Sequence, residues 1–144
     1  MHHRLLRIVR LPALALVAAC FATAAAAAPA RISITSGTPQ SARAWVAARA
    51  NRYETRFDAA LVVAVASPQT KVRFRCVTRG CEFPPSDQPD TVARVDGSAY
   101  DVTSVKGEAS IKLTIWTLTP ENVVVIAQPA GSANPRLRFD LEAR

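Results

Sequence analysis

From Tyr53 to the C-terminus, apolar and polar residues of this chain alternate at nearly every second position. Period-two alternation puts successive side chains on opposite faces of an extended backbone, and a helix cannot gather such a pattern onto one side. In "YETRFDAALVVAVAS", Tyr53, Thr55, Phe57, Ala59, Leu61, Val63 and Val65 share a face. Glu54, Arg56 and Asp58 lie on the other face until the run becomes apolar on both, the mark of a strand whose second half is buried. "KVRFRC" alternates Val72, Phe74 and Cys76 with cations, "ASIKLTIWTL" aligns Ala109, Ile111, Leu113 and Ile115, and "RLRFDLEA" aligns Leu137, Phe139 and Leu141. "NVVVIA" reads as a short buried strand, and "RISIT", "TVARV" and "AYDVTSV" are further strand candidates.

Turn chemistry separates these runs: Ser67-Pro68-Gln69, Pro84-Pro85-Ser86-Asp87, Asp96-Gly97, Lys106-Gly107 and the stretch from Pro129 to Pro135. Seven to nine short strands so punctuated predict an all-β sandwich or barrel. One segment, residues 41–57, carries two patterns. Ala42, Ala44, Val46, Ala48 and Ala50 alternate as in a strand, whereas Val46, Ala50, Tyr53 and Phe57 have helical spacing. Strand is the expectation, because the segment runs directly into the strand around Phe57.

From Phe57 onward, the succession "ALVVAVAS", "KVRFRC", a spacer, "GEASIKLTIWT" and "NVVVIAQ" resembles bacterial immunoglobulin-like domains of the invasin and intimin type. Gly107 followed by the alternating strand is the most characteristic part, and the turn at Pro68-Gln69-Thr70 is shorter than is usual in those domains. The resemblance implies an immunoglobulin-like β-sandwich over roughly residues 57–144 and leaves the function open, since many functions share that architecture. Asp96 to Tyr100 has the spacing of a tyrosine corner, but that feature precedes the penultimate strand and three strands are expected after Tyr100, so coincidence is the reading.

The first thirty residues set the expected compartment. A basic segment with Arg4, Arg7 and Arg10 precedes the apolar run "LPALALVAACFA" and the small-residue tract "TAAAAAPA", the three parts of a secretory signal peptide. The apolar run is shorter than the roughly 20 residues of a membrane span, and no later stretch approaches that length. Residues 1–30 are therefore expected to be a leader and residues 31–144 a single β-sandwich domain in the periplasm or outside the cell. Cleavage after Ala30 or near Ala26 is one route of maturation. Val17-Ala18-Ala19-Cys20 also resembles a lipobox, in which Cys20 would carry a lipid anchor. Of 18 Lys and Arg, three leave with the leader, so 15 face 11 Asp and Glu and the mature charge is about +4. Such mild basicity gives no reason to expect nucleic acid as partner.

"CVTRGC" holds Cys76 and Cys81, the even pair left once Cys20 is assigned to the leader. An oxidising compartment favours a structural disulfide between them. Free thiols, or metal and redox chemistry, are the alternatives. A zinc site needs about four ligands, yet His2 and His3 both lie in the leader; a thioredoxin-like pair needs C-x-x-C at a helix start. Gly80 suits the tight turn between the two cysteines.

Chemistry-bearing constellations are sparse. Without a mature histidine, Ser-His and Cys-His arrangements are absent. A carboxylate-based hydrolase is a distant alternative, since the acids fall in turns or on outer faces. Asp87 and Asp90 share a loop without a calcium-loop pattern. No enzyme activity and no cofactor are expected. Lys71, Arg73 and Arg75 line one strand face with Arg79 in the next turn; a solvated face is the expected reading of that charge. The better binding candidates are aromatic: Trp116, on the Lys112 face by alternation, and Trp45, sharing a face with Arg43 and Arg49 if its segment is a strand. Each tryptophan either covers a core edge or displays itself to a ligand. The expected role is binding or structural at the cell envelope, the partner being an envelope polymer or another envelope protein.

Overall fold

The computed structural model describes residues 31–47 and 51–144; the leader with Cys20, and residues 48–50 with Arg49, lie outside the described residues. The alternating runs form twelve strands, with no helix among the described residues. One layer contains two short sheets. The first is ordered β1 (Ile32–Ser36), β5 (Leu61–Val65), β9 (Glu108–Ile111), and the second β10 (Thr114–Thr117), β4 (Arg52–Arg56), β3 (Ala44–Ala47). The other layer is a six-stranded sheet ordered β2 (Gln40–Ala42), β12 (Leu137–Ala143), β11 (Asn122–Pro129), β6 (Lys71–Cys76), β8 (Ala99–Thr103), β7 (Val92–Asp96). The packed sheets make an all-β sandwich.

Alternation decides what the sheets bury between them. Phe57, Leu61, Val63, Ile111, Leu113 and Ile115 meet Val72, Phe74, Val102, Val123, Val125 and Phe139 in one continuous core. Full burial of each such side chain contributes about 1.5–3 kcal/mol relative to exposure.

Twelve strands appear where seven to nine were expected, because two long alternating runs are interrupted. Arg56 pairs with Thr114 and Leu61 with Ile111, so residues 57–60 oppose only residues 112–113. This bulge separates β4 from β5 and β9 from β10, while Phe57 N–H donates to the Leu113 carbonyl at 3.0 Å across the break. Phe57 and Leu61 still point inward, but Ala59, expected among the inward residues, is exposed on the bulge.

The N-terminal part changes layers twice. Between β1 and β2 the chain turns at Gly37, with φ of 98°, where a Cβ would approach the Ala60 carbonyl oxygen to 2.5 Å and Leu61 Cα to 2.7 Å. Only glycine fits that crossing. β2 then joins the other layer, parallel to β12. The described residues of 41–57 are mostly extended, as expected, yet they form paired strands instead of a single one. β3 pairs antiparallel with β4, Ala44 opposite Thr55 and Ala47 opposite Arg52. Val46 shares the Ala44 face but is 74% exposed, because β3 is the outermost strand of its sheet.

Tyr100 pairs within β8 and stacks on Phe83 at 5.1 Å between ring centres, with three further strands, β9 to β11, before β12. It does not form a tyrosine corner.

Candidate functional site

The outer face of the β10–β4–β3 sheet gathers the candidate residues. Thr55 and Ile115 are buried on the inner face, so Glu54 and Trp116, one position away, face outward. Register then makes a row. Trp116 lies opposite Glu54 on one side of β4, and Trp45 lies opposite Glu54 on the other. Directly opposed residues of antiparallel strands project to the same face. Two strand spacings put the tryptophan backbones about 10 Å apart, with a carboxylate between them. Glu82 extends the row beyond Trp116: its N–H donates to the Trp116 carbonyl at 2.9 Å, and Trp116 N–H donates back at 2.7 Å.

Polar contacts fix the row. Trp116 Nε1 donates to Glu54 Oε2 at 3.1 Å, and Arg56 Nε donates to Glu54 Oε1 at 2.9 Å. The indole N–H bond and, after it, the Arg56 guanidinium hold the Glu54 carboxyl below its ordinary pKa against a partly opposing effect of burial. Arg52, also on β4, donates to the Gly80 carbonyl at 2.8 Å and to Glu82 Oε1 at 3.4 Å. At the far end, the Arg43 guanidinium lies 4.2 Å from the Trp45 ring centre, within cation–π range. Trp45 is 58% exposed, while Trp116 is partly buried against its sheet. An open cleft of about 460 Å³ beside the row is lined by Ser41, Arg43, Trp45, Glu54, Arg56 and Asp58.

Trp45 and Arg43 share a face, as alternation anticipated, and strand register adds Trp116 to that face, which alternation alone did not anticipate. Lys112 is not part of the cleft. It falls in the bulge and borders a neighbouring cleft with Asp87 and Thr114, which shares Arg56 and Asp58 with the first. Arg49 lies outside the described residues. Glu54, Arg56, Asp58 and Glu82 were not anticipated as site residues. Glu54 and Arg56 were legible as an outward pair, but only long-range register sets Glu54 between two indoles.

Two of the three cations on the outer face of β6 are paired with carboxylates. Arg73 forms a two-pronged bond to Asp101 at 2.7 and 2.9 Å, which raises the Arg73 pKa. Arg75 donates to Asp96 at 2.9 Å and to Ser98 Oγ at 3.0 Å. Asp96 in turn is held below its ordinary pKa, first by the Ser98 backbone N–H and less by the Ser98 hydroxyl and Arg75. Asp87 and Asp90 belong to no group of three or more metal-type ligands among the described residues.

Cys76 and Cys81 form a disulfide, with Gly80 at φ 74° between them. A side chain at Gly80 would also come within 2.8 Å of Leu118. The bonded loop does more than shape a turn. Cys76 ends β6 in the six-stranded layer, and Glu82, next to Cys81, is already bridged to β10 in the other. The staple therefore sits where the chain crosses between layers, beside the row.

No protein family, curated protein or solved structure matches this chain.

Proposed function

We propose that this chain is exported and acts at the cell envelope as a non-catalytic binding module, with the outer face of β3, β4 and β10 as its ligand surface. The carrying observation is the Trp45–Glu54–Trp116 row, two aromatic side chains held in place by polar partners on an open sheet face. Aromatic and arginine side chains on an accessible surface are the residue types that dominate binding energy. The three-part leader supports export, and the Cys76–Cys81 bond suits an oxidising compartment. The non-catalytic reading rests on histidines confined to the leader, mature cysteines joined to each other, and a central carboxylate occupied with Trp116 and Arg56.

An immunoglobulin-like sandwich is the fold type proposed. The order β1-β5-β9 against β12-β11-β6 parallels the A-B-E and G-F-C pairings of that architecture. β7 and β8 are additions on the β6 side, and the edge strand β7 precedes the inner strand β8 in sequence. The second reading, a lipoprotein anchored through Cys20, is favoured by the Val17–Cys20 lipobox-like stretch. Intact mass of the exported protein separates the two, because lipidation leaves Cys20 as a modified N-terminus. The binding reading is tested by capture from a solubilised envelope fraction, using wild-type chain and the Trp45→Ala and Arg43→Ala variants. Capture should fall sharply in both variants, and capture equal to wild type in both would overturn it.

A further inference from the structure

We infer that the ligand of this face is an uncharged carbohydrate at least two sugar rings long, an inference that rests on the binding reading above. Three observations lead there. The first is the pairing of chemistries. A sugar ring presents C–H groups on its faces and hydroxyls, each a donor and an acceptor, around its edge. The cleft offers an indole in Trp45, donors in Arg43 and Arg56, and acceptors in Glu54 and Asp58. A surface for an apolar peptide would need pockets for side chains, whereas this one is a shallow face with charged groups around a ring.

The second observation is charge. Two guanidiniums and two carboxylates line the cleft, so its formal charge is zero. A polyanion would bring its charges against Glu54 and Asp58. A cation stacking on Trp45 would meet the like charge of Arg43, which packs on that ring. Complementarity therefore favours a ligand with no charge of its own. The third observation is length. Register sets the backbones of Trp45 and Trp116 two strand spacings apart on one face, about 10 Å, a span that one pyranose ring does not cover and a pair does. The face is also held in advance: Glu54 fixes Trp116, and Arg43 packs on Trp45. Less ordering is then lost on binding, which matters for a flexible, hydrated ligand.

The test is affinity electrophoresis of the mature, disulfide-intact protein through gels containing neutral polymers (dextran, laminarin, mannan, glycol chitin) or charged counterparts (dextran sulfate, carboxymethylcellulose, glycol chitosan). At least one neutral polymer should retard the protein, with little change between about 50 and 200 mM salt, where phosphate-type ionic binding weakens steeply. Trp45→Ala and Arg43→Ala should each lose about tenfold or more in affinity while keeping the wild-type circular dichroism spectrum. For the polymer that binds, its disaccharide should compete far better than its monosaccharide; equal competition overturns the two-ring assignment. Retardation only by charged polymers, collapsing with salt, overturns the uncharged assignment. So does neutral-polymer binding that neither variant weakens. If neutral polymers all fail while envelope capture still depends on Trp45 and Arg43, the carbohydrate inference falls and the binding reading stands. If capture is independent of both residues, the two fall together.

Discussion

Replacing each tryptophan of the row with alanine should separate their two roles by stability alone. A fully buried tryptophan removes about 150–250 Å² from water, which at about 25 cal/mol per Å² is roughly 4–6 kcal/mol. Trp116 is partly buried, on the outer face of its sheet and not in the core, so roughly half of that area is at stake. Its bond to Glu54 adds little on deletion, because the carboxylate keeps Arg56 and is accessible to water. Trp116→Ala should therefore cost about 2 kcal/mol. Trp45 is 58% exposed and stacks on Arg43, a contact that contributes about 0.5–1 kcal/mol at an open site. Trp45→Ala should cost no more than about 1 kcal/mol. Urea denaturation followed by far-UV circular dichroism measures both without relying on the deleted fluorophores. Equal costs would mean that Trp116 does not pack on β4. A loss of 4 kcal/mol or more at Trp116 would put its ring in the core and remove it from the binding face.

The Cys76–Cys81 bond closes a six-residue loop, so replacing both cysteines with serine should cost about 2 kcal/mol and preserve the fold; peptide mapping of unreduced protein should find one intrachain bridge, and two alkylatable thiols would refute it. Glu54 has a folded pKa below its unfolded value, with the Trp116 bond as the first cause, so its stabilisation is complete above the unfolded value, about 4.3, and is lost as pH falls through the folded one. Trp116→Phe should make the acid loss of stability shallower, and an unchanged slope between about pH 5 and 2 would contradict the assignment. The buried hydroxyls of Thr55 and Thr117 have no hydrogen-bond partner among the described residues, so Thr117→Val should leave stability unchanged or raise it by up to about 1 kcal/mol. A loss beyond that in thermal or urea melts would show that the hydroxyl is bound.

The sequence carried the inside–outside assignment well because burial in a sandwich is a period-two property. Val72, Phe74, Ile111, Leu113, Phe139 and Leu141 are all buried, as alternation requires. Continuity was harder to read. An alternating run looks the same whether its hydrogen bonds continue or break, so the bulge at residues 57–60 left no mark except Ala59, a small residue that tolerates either face. The reversal between β3 and β4 was hidden similarly, since "VAARAN" lacks the glycine or proline that marks most turns. Asn51, at φ 49°, takes the left-handed position that asparagine tolerates. The site was half legible for the same reason. Which residues face out is local information, and it found Trp45, Arg43 and Trp116. Which outward residues become neighbours depends on register across strands distant in sequence, and Glu54 is 62 residues from Trp116.

The disulfide gains a second meaning from that register. Besides restraining the unfolded chain by about 2 kcal/mol, the bond has a positional consequence. Before the crossing, Val77 N–H donates to the Val124 carbonyl at 3.0 Å and Thr78 Oγ1 accepts from Val124 N–H at 2.8 Å, keeping the loop on the six-stranded layer. After it, Glu82 is bridged to Trp116. The chain changes layers within those few residues, and the bond fixes where it lands. Arg52 reaches the Gly80 carbonyl and the Glu82 carboxylate from β4, two positions from Glu54. The row is thus held at one end by the stapled loop through Glu82 and Arg52, and at the other by Arg43 on Trp45. Both half-cystines are buried at the edge of the crossing within the apolar core, so reduction should be felt there and at the Glu82 end of the row before it reaches Arg43 and Trp45. The disulfide thus bears on the Glu82 and Arg52 end of the row, the end away from the cleft.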